Sequence, residues 1–324
     1  MDFSVIIPAK NEQGYLPVCL DSLSQLDYPR EAYEVLVIDN GSTDNTVEIA
    51  KQYGTKVLVQ PGLTIAGLRN FGASQAIGRC LVFLDADCTV APDWLTAASL
   101  WLDQADVCCF GGPPEIPEQS TWVQKAWYCV RSKRQLVEEA EWLESMNMFV
   151  RKEVFAQVHG FDETLTTCED YDLSLRLKKY GRIAADKRIR AIHHGEAATL
   201  SHFYRKERWR GVSNIAGLAR HGLHLRELPS LLVPIVFLLC LMVAAVALIV
   251  SVTNGGLMFC FFAAFLLLWQ LPIFVLAMLK GRKSASIQLR LGLYLLLNTY
   301  FLARGMATFR WNEHEPYIRH QIPL

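Results

Sequence analysis

Two aspartates separated by one residue, Asp85-Ala86-Asp87, close an apolar run that begins at Arg79. Carboxylates at i and i+2 on a chain leaving a strand can lie on one side of it. Magnesium or manganese takes one or two carboxylates and completes its shell with substrate phosphates and water. The pair therefore suits a metal ion carrying a diphosphate. A solvated loop contains the same pattern, so position has to decide between the two. Other polar residues stand at comparable places. Asn11 and Glu12 follow the apolar run 3–8, and Asp39 and Asn40 end the run that starts at Tyr33.

The elements that must position these residues are short. Runs rich in Val, Ile, Leu and Phe at 3–8, 33–39, 56–60, 79–85 and 107–110 read as strands, with helical stretches at 16–26, 44–53, 64–77 and 92–104 between them. Continuous apolar strands, each followed by a helix, predict an α/β domain whose mostly parallel sheet is buried on both faces. Ligands of such sheets bind beyond the carboxyl ends of the strands. The polar residues above collect there, which core packing does not require. Ser42 or Thr43 is the expected cap of the helix near Asp44. Gly-Gly-Pro-Pro at 111–114 ends the alternation. A helix over 121–144 carrying Trp122, Trp127 and Trp142, a strand over 146–150 and a helix over 169–179 are expected after it.

The chain has 324 residues, 52% of them hydrophobic, and a formal net charge of zero. That balance gives no support to nucleic acid as a partner. The nine cysteines form no Cys-x-x-Cys pair and suit free thiols in a reducing compartment. The start lacks the basic n-region of a signal peptide, so the N-terminal domain is expected to stay in the cytoplasm. Residues 228–279 carry no charge. A membrane helix needs ~20 apolar residues, so spans are expected over about 229–253 and 257–279, joined by a turn at Asn254-Gly255-Gly256. A buried hairpin in a soluble protein is the alternative. Arg205, Lys206, Arg208, Arg210, Arg220 and Arg226 precede the spans, and Lys280, Arg282, Lys283 and Arg290 follow them. The positive-inside rule then places both flanks in the cytoplasm. Residues 287–304 are expected as an interfacial or third membrane helix.

Five segments together resemble the family 2 glycosyltransferases. They are Ser-Val-Ile-Ile-Pro-Ala-Lys-Asn-Glu at 4–12, Val-Leu-Val-Ile-Asp-Asn-Gly-Ser-Thr-Asp at 35–44, Leu-Val-Phe-Leu-Asp-Ala-Asp at 81–87, Gly-Phe-Asp-Glu at 160–163 and Glu-Asp-Tyr-Asp-Leu at 169–173. The resemblance runs in the family's order over about 3–211. It implies a GT-A fold over 1–226, followed by a C-terminal membrane region over 227–324. It further implies an inverting, membrane-anchored bacterial type of enzyme with a nucleotide-diphosphate-sugar donor and Mn2+ or Mg2+. The expected place is the inner (plasma) membrane, multi-pass, with the catalytic domain cytoplasmic.

Residue by residue, the resemblance assigns Pro8, Asn11 and Glu12 to the nucleoside pocket and Asp39 to the base or ribose. Asn40 stands where many relatives have a second Asp, and its amide can both donate and accept. Asp85 and Asp87 match the metal and diphosphate motif. Asp170 matches the base that takes the acceptor's proton, with Glu169 beside it. The same two acids would also favour a helix N-terminus, with Thr166 or Thr167 as cap; Asp172 reads as structural. His193 or His194 completes the metal shell, or merely caps a strand or packs against a tryptophan. Arg69 reaches donor phosphate or only water. Arg205-Lys206-Glu207-Arg208-Trp209 resembles a Gln-x-x-Arg-Trp motif with Arg in place of Gln. There Arg208 would manage the diphosphate and Trp209 the acceptor, or the segment simply meets anionic lipid. The acceptor is expected to be lipid-linked or membrane-associated. Polyprenyl phosphate itself and a non-catalytic nucleotide-binding scaffold are the alternatives.

Overall fold

The structure, a computed structural model, describes residues 1–131, 135–212, 228–254, 256–282 and 286–309. Arg220, Arg226, Gly255, Lys283 and the expected domain boundary at 226 lie outside the described residues. Two compact units emerge: the described residues of 1–118 with 132–196, and those of 119–131 with 197–317.

The first unit is built on an eight-stranded sheet. Its strands are β1 (Phe3–Ala9), β2 (Tyr33–Asp39), β3 (Lys56–Val59), β4 (Cys80–Leu84), β6 (Val107–Gly111), β7 (Val137–Glu139), β8 (Asn147–Arg151) and β9 (Arg182–Asp186). The order is β3-β2-β1-β4-β8-β6-β9-β7. The β3-β2-β1-β4 half is parallel, whereas β8 runs antiparallel to both β4 and β6. The chain winds outward from β1 through β2 to β3 and returns to place β4 on the other side of β1. That reversal opens a crevice at the carboxyl ends of β1 and β4.

Alternation along each strand feeds a core on either face. Phe3, Val5 and Ile7 of β1 join Val82 and Leu84 of β4 under the helices α1 (Leu16–Ser24) and α4 (Trp94–Ser99). Ile6, Leu81 and Phe83 point the other way. They meet α3 (Ile65–Gln75), α6 (Lys152–Gln157) and α7 (Glu169–Leu177). A separate two-stranded antiparallel sheet pairs β5 (Cys88–Val90) with β10 (Ala191–His193).

Three local expectations need correction. Helix α2 spans Thr46–Gln52 rather than starting at Asp44. Neither Ser42 nor Thr43 caps it; the Asp44 carboxylate accepts the Thr46 backbone N–H. The long helix over 121–144 is α5 (Trp122–Arg131) alone. Beyond the undescribed 132–134, Val137–Glu139 instead pair with β9, whose outer edge would otherwise expose unmet backbone groups. Residues 140–146 are then a loop, and it carries Trp142.

The second unit is helical. It comprises α5, α8 (Leu200–Gly211), α9 (Leu228–Asn254), α10 (Gly256–Lys280) and α11 (Ile287–Ala307). Val123, Phe203, Phe237, Ile273, Leu293 and Leu296 form its core. Two stretches, Leu228–Val252 and Cys260–Lys280, are long and apolar enough to cross a membrane, with mean hydropathy 3.2 and 2.3. Only 17% and 11% of those stretches are buried. The core hairpin of a soluble protein would be mostly buried, and these stretches are not. Helix α11 is two-faced: Leu293, Leu296 and Leu297 are buried, while Ile287, Leu291 and Leu295 are exposed.

Candidate active site

The chain leaves β4 at Leu84 and turns through Asp85 and Asp87 into β5. The β5–β10 register sets Cys88 opposite His193. That pairing brings His193 Nε2 within 3.1 Å of Asp87 Oδ2. On its other side, His193 Nδ1 lies 3.1 Å from Glu196 Oε1. All three side chains are buried. Successive strand residues face opposite ways, so His194 turns its Nε2 to Thr89 Oγ1 at 2.9 Å and stacks its ring on Tyr15. Of the two histidines, His193 alone joins the Asp87 carboxylate. Burial opposes protonation of its imidazole, yet Asp87 and Glu196 outweigh that and raise its pKa to about 9.

Arg69 is the second organising residue. It lies on α3, which Thr64 caps by accepting the Gly67 N–H. The guanidinium is 3% exposed and sits over the Phe161 ring. One terminal nitrogen is 2.9 Å from Asp85 Oδ1, the other 2.8 Å from Glu169 Oε1. Arg69 thus ties the end of β4 to the start of α7, with both terminal nitrogens held by carboxylates.

Helix α7 begins at Glu169. Its cap is Cys168, in the left-handed region at φ 66° and without a side-chain cap bond; Thr166 and Thr167 do not play that part. Glu169, Asp170 and Asp172 crowd the first turn, where the helix dipole favours negative charge. Asp172 is committed to Arg176, which also donates to the carbonyls of Val158 and Gly160. Asp170 is half-buried and accepts the Tyr171 N–H at 2.8 Å. Burial, then Glu169 and Glu144, raise its pKa to about 7, against the pull of Arg69 and the Tyr171 N–H. A carboxylate tuned near neutrality suits a general base.

On the β1–β2 side, Pro8 is buried within β1 opposite Ile38. Asn11 stands at φ 54° and accepts the Thr43 N–H, while its own N–H donates to Ser42 Oγ at 2.8 Å. The Glu12 N–H donates to Thr46 Oγ1. Asp39 is 1% exposed; its Oδ2 accepts the Ser42 N–H, and its Oδ1 has no hydrogen-bond partner among the described residues. Asn40 spends both ends of its amide on the next loop, donating to the Leu63 carbonyl and accepting the Gly62 N–H. Its side chain builds that loop, and Asp39 holds the open acceptor. Arg208 and Trp209 lie half-buried on α8 in the second unit. There Glu207 is buried against Arg210 and Arg304.

Residues 4–159 match the family described as glycosyl transferase family 2. That segment belongs to the family. Relatives in sequence include the glycosyltransferase AglE of Haloferax volcanii, 32% identical over 189 residues, or 55% of this chain and 62% of AglE. Another is the poly(ribitol-phosphate) beta-N-acetylglucosaminyltransferase TarS of Staphylococcus aureus, 32% identical over 114 residues, or 32% of this chain and 19% of TarS. The chain thus spans under two thirds of either relative. In three dimensions it is similar to the mannosyltransferase PcManGT of Pyrobaculum calidifontis in complex with GDP-Man and Mn2+. The TM-score is 0.66 at 20% identity, over 96% of this chain and 88% of that one. The TarS 1-349 structure gives 0.53 at 18% identity, over 97% and 92%. At these identities the structures establish the shared GT-A fold.

Divalent metal use is typical of this fold, and the donors beside the expected motif at Asp85 and Asp87 fit such a cation. Asp87 Oδ2 and His193 Nε2 face each other, and a carboxylate oxygen with an imidazole nitrogen suits manganese. Glu196 on Nδ1 is the outer partner that fixes a ligating imidazole. Cys88 completes a buried group with Asp87 and His193 whose ligand atoms lie within 4.8 Å of one another, although a hard cation prefers the oxygen and nitrogen. Gly195 leaves the room. A Cβ there would stand 1.8 Å from Asp87 Oδ2. Gly195 and Glu196 escaped sequence reasoning; their signal is the His-His-Gly-Glu run, two and three residues beyond His193.

Proposed function

We propose that this chain transfers a sugar, with inversion, from a nucleotide-diphosphate-sugar donor to a lipid-linked or membrane-associated glycan acceptor at the cytoplasmic face of a membrane. The observation that carries the reading is the arrangement Asp85–Arg69–Glu169, which holds a metal motif and a base-bearing helix together at the ligand edge of one sheet. The donor's diphosphate would lie at Asp85, Asp87 and His193, with Asp39 Oδ1 offered to the nucleoside. When bound, a divalent cation neutralises charge on the departing nucleoside diphosphate. Asp170 accepts the acceptor's hydroxyl proton as that oxygen bonds to the anomeric carbon. The bond from that carbon to the diphosphate breaks, and its electron pair leaves with the diphosphate. Attack from the side opposite the leaving group inverts the centre.

Two further observations support the acceptor and the location. AglE and TarS are glycosyltransferases by description, and TarS acts on a poly(ribitol-phosphate). The two exposed apolar helices are flanked by Arg205, Lys206, Arg208 and Arg210 before and Lys280, Arg282 and Arg290 after, which suits cytoplasmic flanks at an anionic leaflet. The amphipathic α11 would lie at the interface. Purified protein offered a panel of nucleotide sugars with Mn2+ should release nucleoside diphosphate, and Asp170→Asn should abolish it. Release at the wild-type rate by that variant would remove Asp170 as base, and no release from any donor would overturn the reading.

A further inference from the structure

The loop between β7 and β8 is anchored at almost every residue. The Ala140 N–H donates to the Ile183 carbonyl at 2.8 Å. Glu141 pairs with Lys178 at 2.8 Å. The Leu143 N–H donates to Ser174 Oγ, and the Glu144 carbonyl accepts the Asn147 N–H. Ala140, Leu143, Ser145 and Met146 are buried. Trp142 stands 38% exposed in the middle of this fixed segment. Its ring lies edge-on to Tyr171, with centroids 6.2 Å apart. Tyr171 directly follows Asp170.

Placement matters more than exposure here, because single exposed aromatics are common. An acceptor hydroxyl must come within hydrogen-bonding distance of the Asp170 carboxylate. The rest of the acceptor then lies against the surfaces beside the first turn of α7, and the Trp142–Tyr171 pair is one of them. The C–H face of a pyranose is flat and apolar and packs on an aromatic ring, while its hydroxyls stay at the rim. Charge narrows the class further. Glu144 and Glu169 surround Asp170 with negative charge, Lys178 is engaged by Glu141, and Arg69 is held by Asp85 and Glu169. A neutral sugar meets no charge repulsion from these acids, whereas a phosphate set among them without a cation would.

Building on the glycosyltransferase reading, we infer that Trp142 and Tyr171 form the acceptor platform, and that the accepting group is a pyranose hydroxyl rather than a polyprenyl phosphate. The loop's anchors hold the platform in place before the acceptor arrives, so little ordering is needed on binding.

The test uses the full chain in detergent with a labelled donor that it hydrolyses, and two kinds of probe: octyl glycosides of glucose, mannose, galactose and N-acetylglucosamine, and polyprenyl phosphate alone. Label should pass to at least one octyl glycoside. Trp142→Ala should then raise the KM for that glycoside about tenfold, as loss of one aromatic contact does, while the donor KM holds. Trp142→Phe should restore most of the loss, which a misfolded loop would not allow. Transfer to polyprenyl phosphate in place of the glycosides, or an unchanged glycoside KM in Trp142→Ala, would overturn the platform. Donor hydrolysis with every glycoside refused would also overturn it while leaving the transferase reading intact. Failure of the wild type to turn over any donor would instead defeat the transferase reading.

Discussion

His193 Nε2 lies 3.1 Å from Asp87 Oδ2, across 106 residues of chain, and the neighbouring His194 turns away to Thr89. The division follows from strand alternation and makes the two histidines unequal. His193→Ala should weaken Mn2+ binding by about tenfold or more, and Glu196→Gln by about 10–100-fold through loss of the outer partner. His194→Ala should leave it near wild type. Thermal unfolding against Mn2+ concentration reads this directly, because a ligand of the folded state raises the midpoint. Equal losses for His193 and His194 would contradict the assignment.

Gly195 stands where a methyl group would meet Asp87 Oδ2 at 1.8 Å. Gly195→Ala must therefore move Asp87 or the β10 end, at about 1–3 kcal/mol by analogy with other overpacked sites. It should also abolish Mn2+-dependent stabilisation. Gly14→Ala, where a Cβ meets nothing within 4 Å, is the matched control. Denaturant melts with and without Mn2+ separate the two effects.

Arg69, itself buried, joins the half-buried Asp85 and the nearly buried Glu169 in a three-membered ion network. Arg69→Ala leaves two carboxylates without their cation and should destabilise the fold by about 3–5 kcal/mol. Arg69→Lys keeps the charge, but one ammonium cannot fork between two acids as a guanidinium does. Its melting point should fall less than its kcat. Arg69→Lys with wild-type kcat would show that the fork is dispensable.

Asp170 has its pKa raised from 3.8 to about 7, by burial and then by Glu169 and Glu144. The carboxylate form is the base, so kcat should rise with pH and level off above about 7. Stability runs the other way. A carboxyl whose folded pKa exceeds its unfolded value contributes stability that is fully present below the unfolded pKa and is lost as pH rises through the folded one. Asp170→Asn should therefore gain stability relative to wild type as pH rises from about 4 to 7, the window set by those two values, and keep that gain above it. Removing Glu144 as Glu144→Gln should shift the kcat limb to lower pH. A limb that stays in place in Glu144→Gln would detach it from Asp170.

Local pattern carried much of this protein. The runs at 3–8, 33–39 and 79–85 are strands because their apolar residues supply both cores at once, Phe3 and Val5 to one face and Ile6 to the other. Once those are strands, Asp39, Asp85 and Asp87 fall at the carboxyl edge without reference to anything distant. Length and hydropathy likewise sufficed for the two long apolar helices, since both are properties of one segment.

Contacts between distant segments were decided only in three dimensions. Which histidine faces Asp87 depends on the β5–β10 register, and a shift of one residue would exchange them. Arg69 read as reaching donor phosphate or only water until its partners, Asp85 and Glu169, were seen 16 and 100 residues away. Trp142 fitted a helical pattern, yet pairing of Val137–Glu139 with β9 draws its segment into a loop beside Asp170. Asn40 resembled a base-reading residue, yet the nearby Gly62 and Leu63 claim its amide. Sequence alone determined the fold and the kinds of chemistry at its edge. Tertiary structure decided which side chains meet there, because register and ion pairing are set by partners that no local window contains.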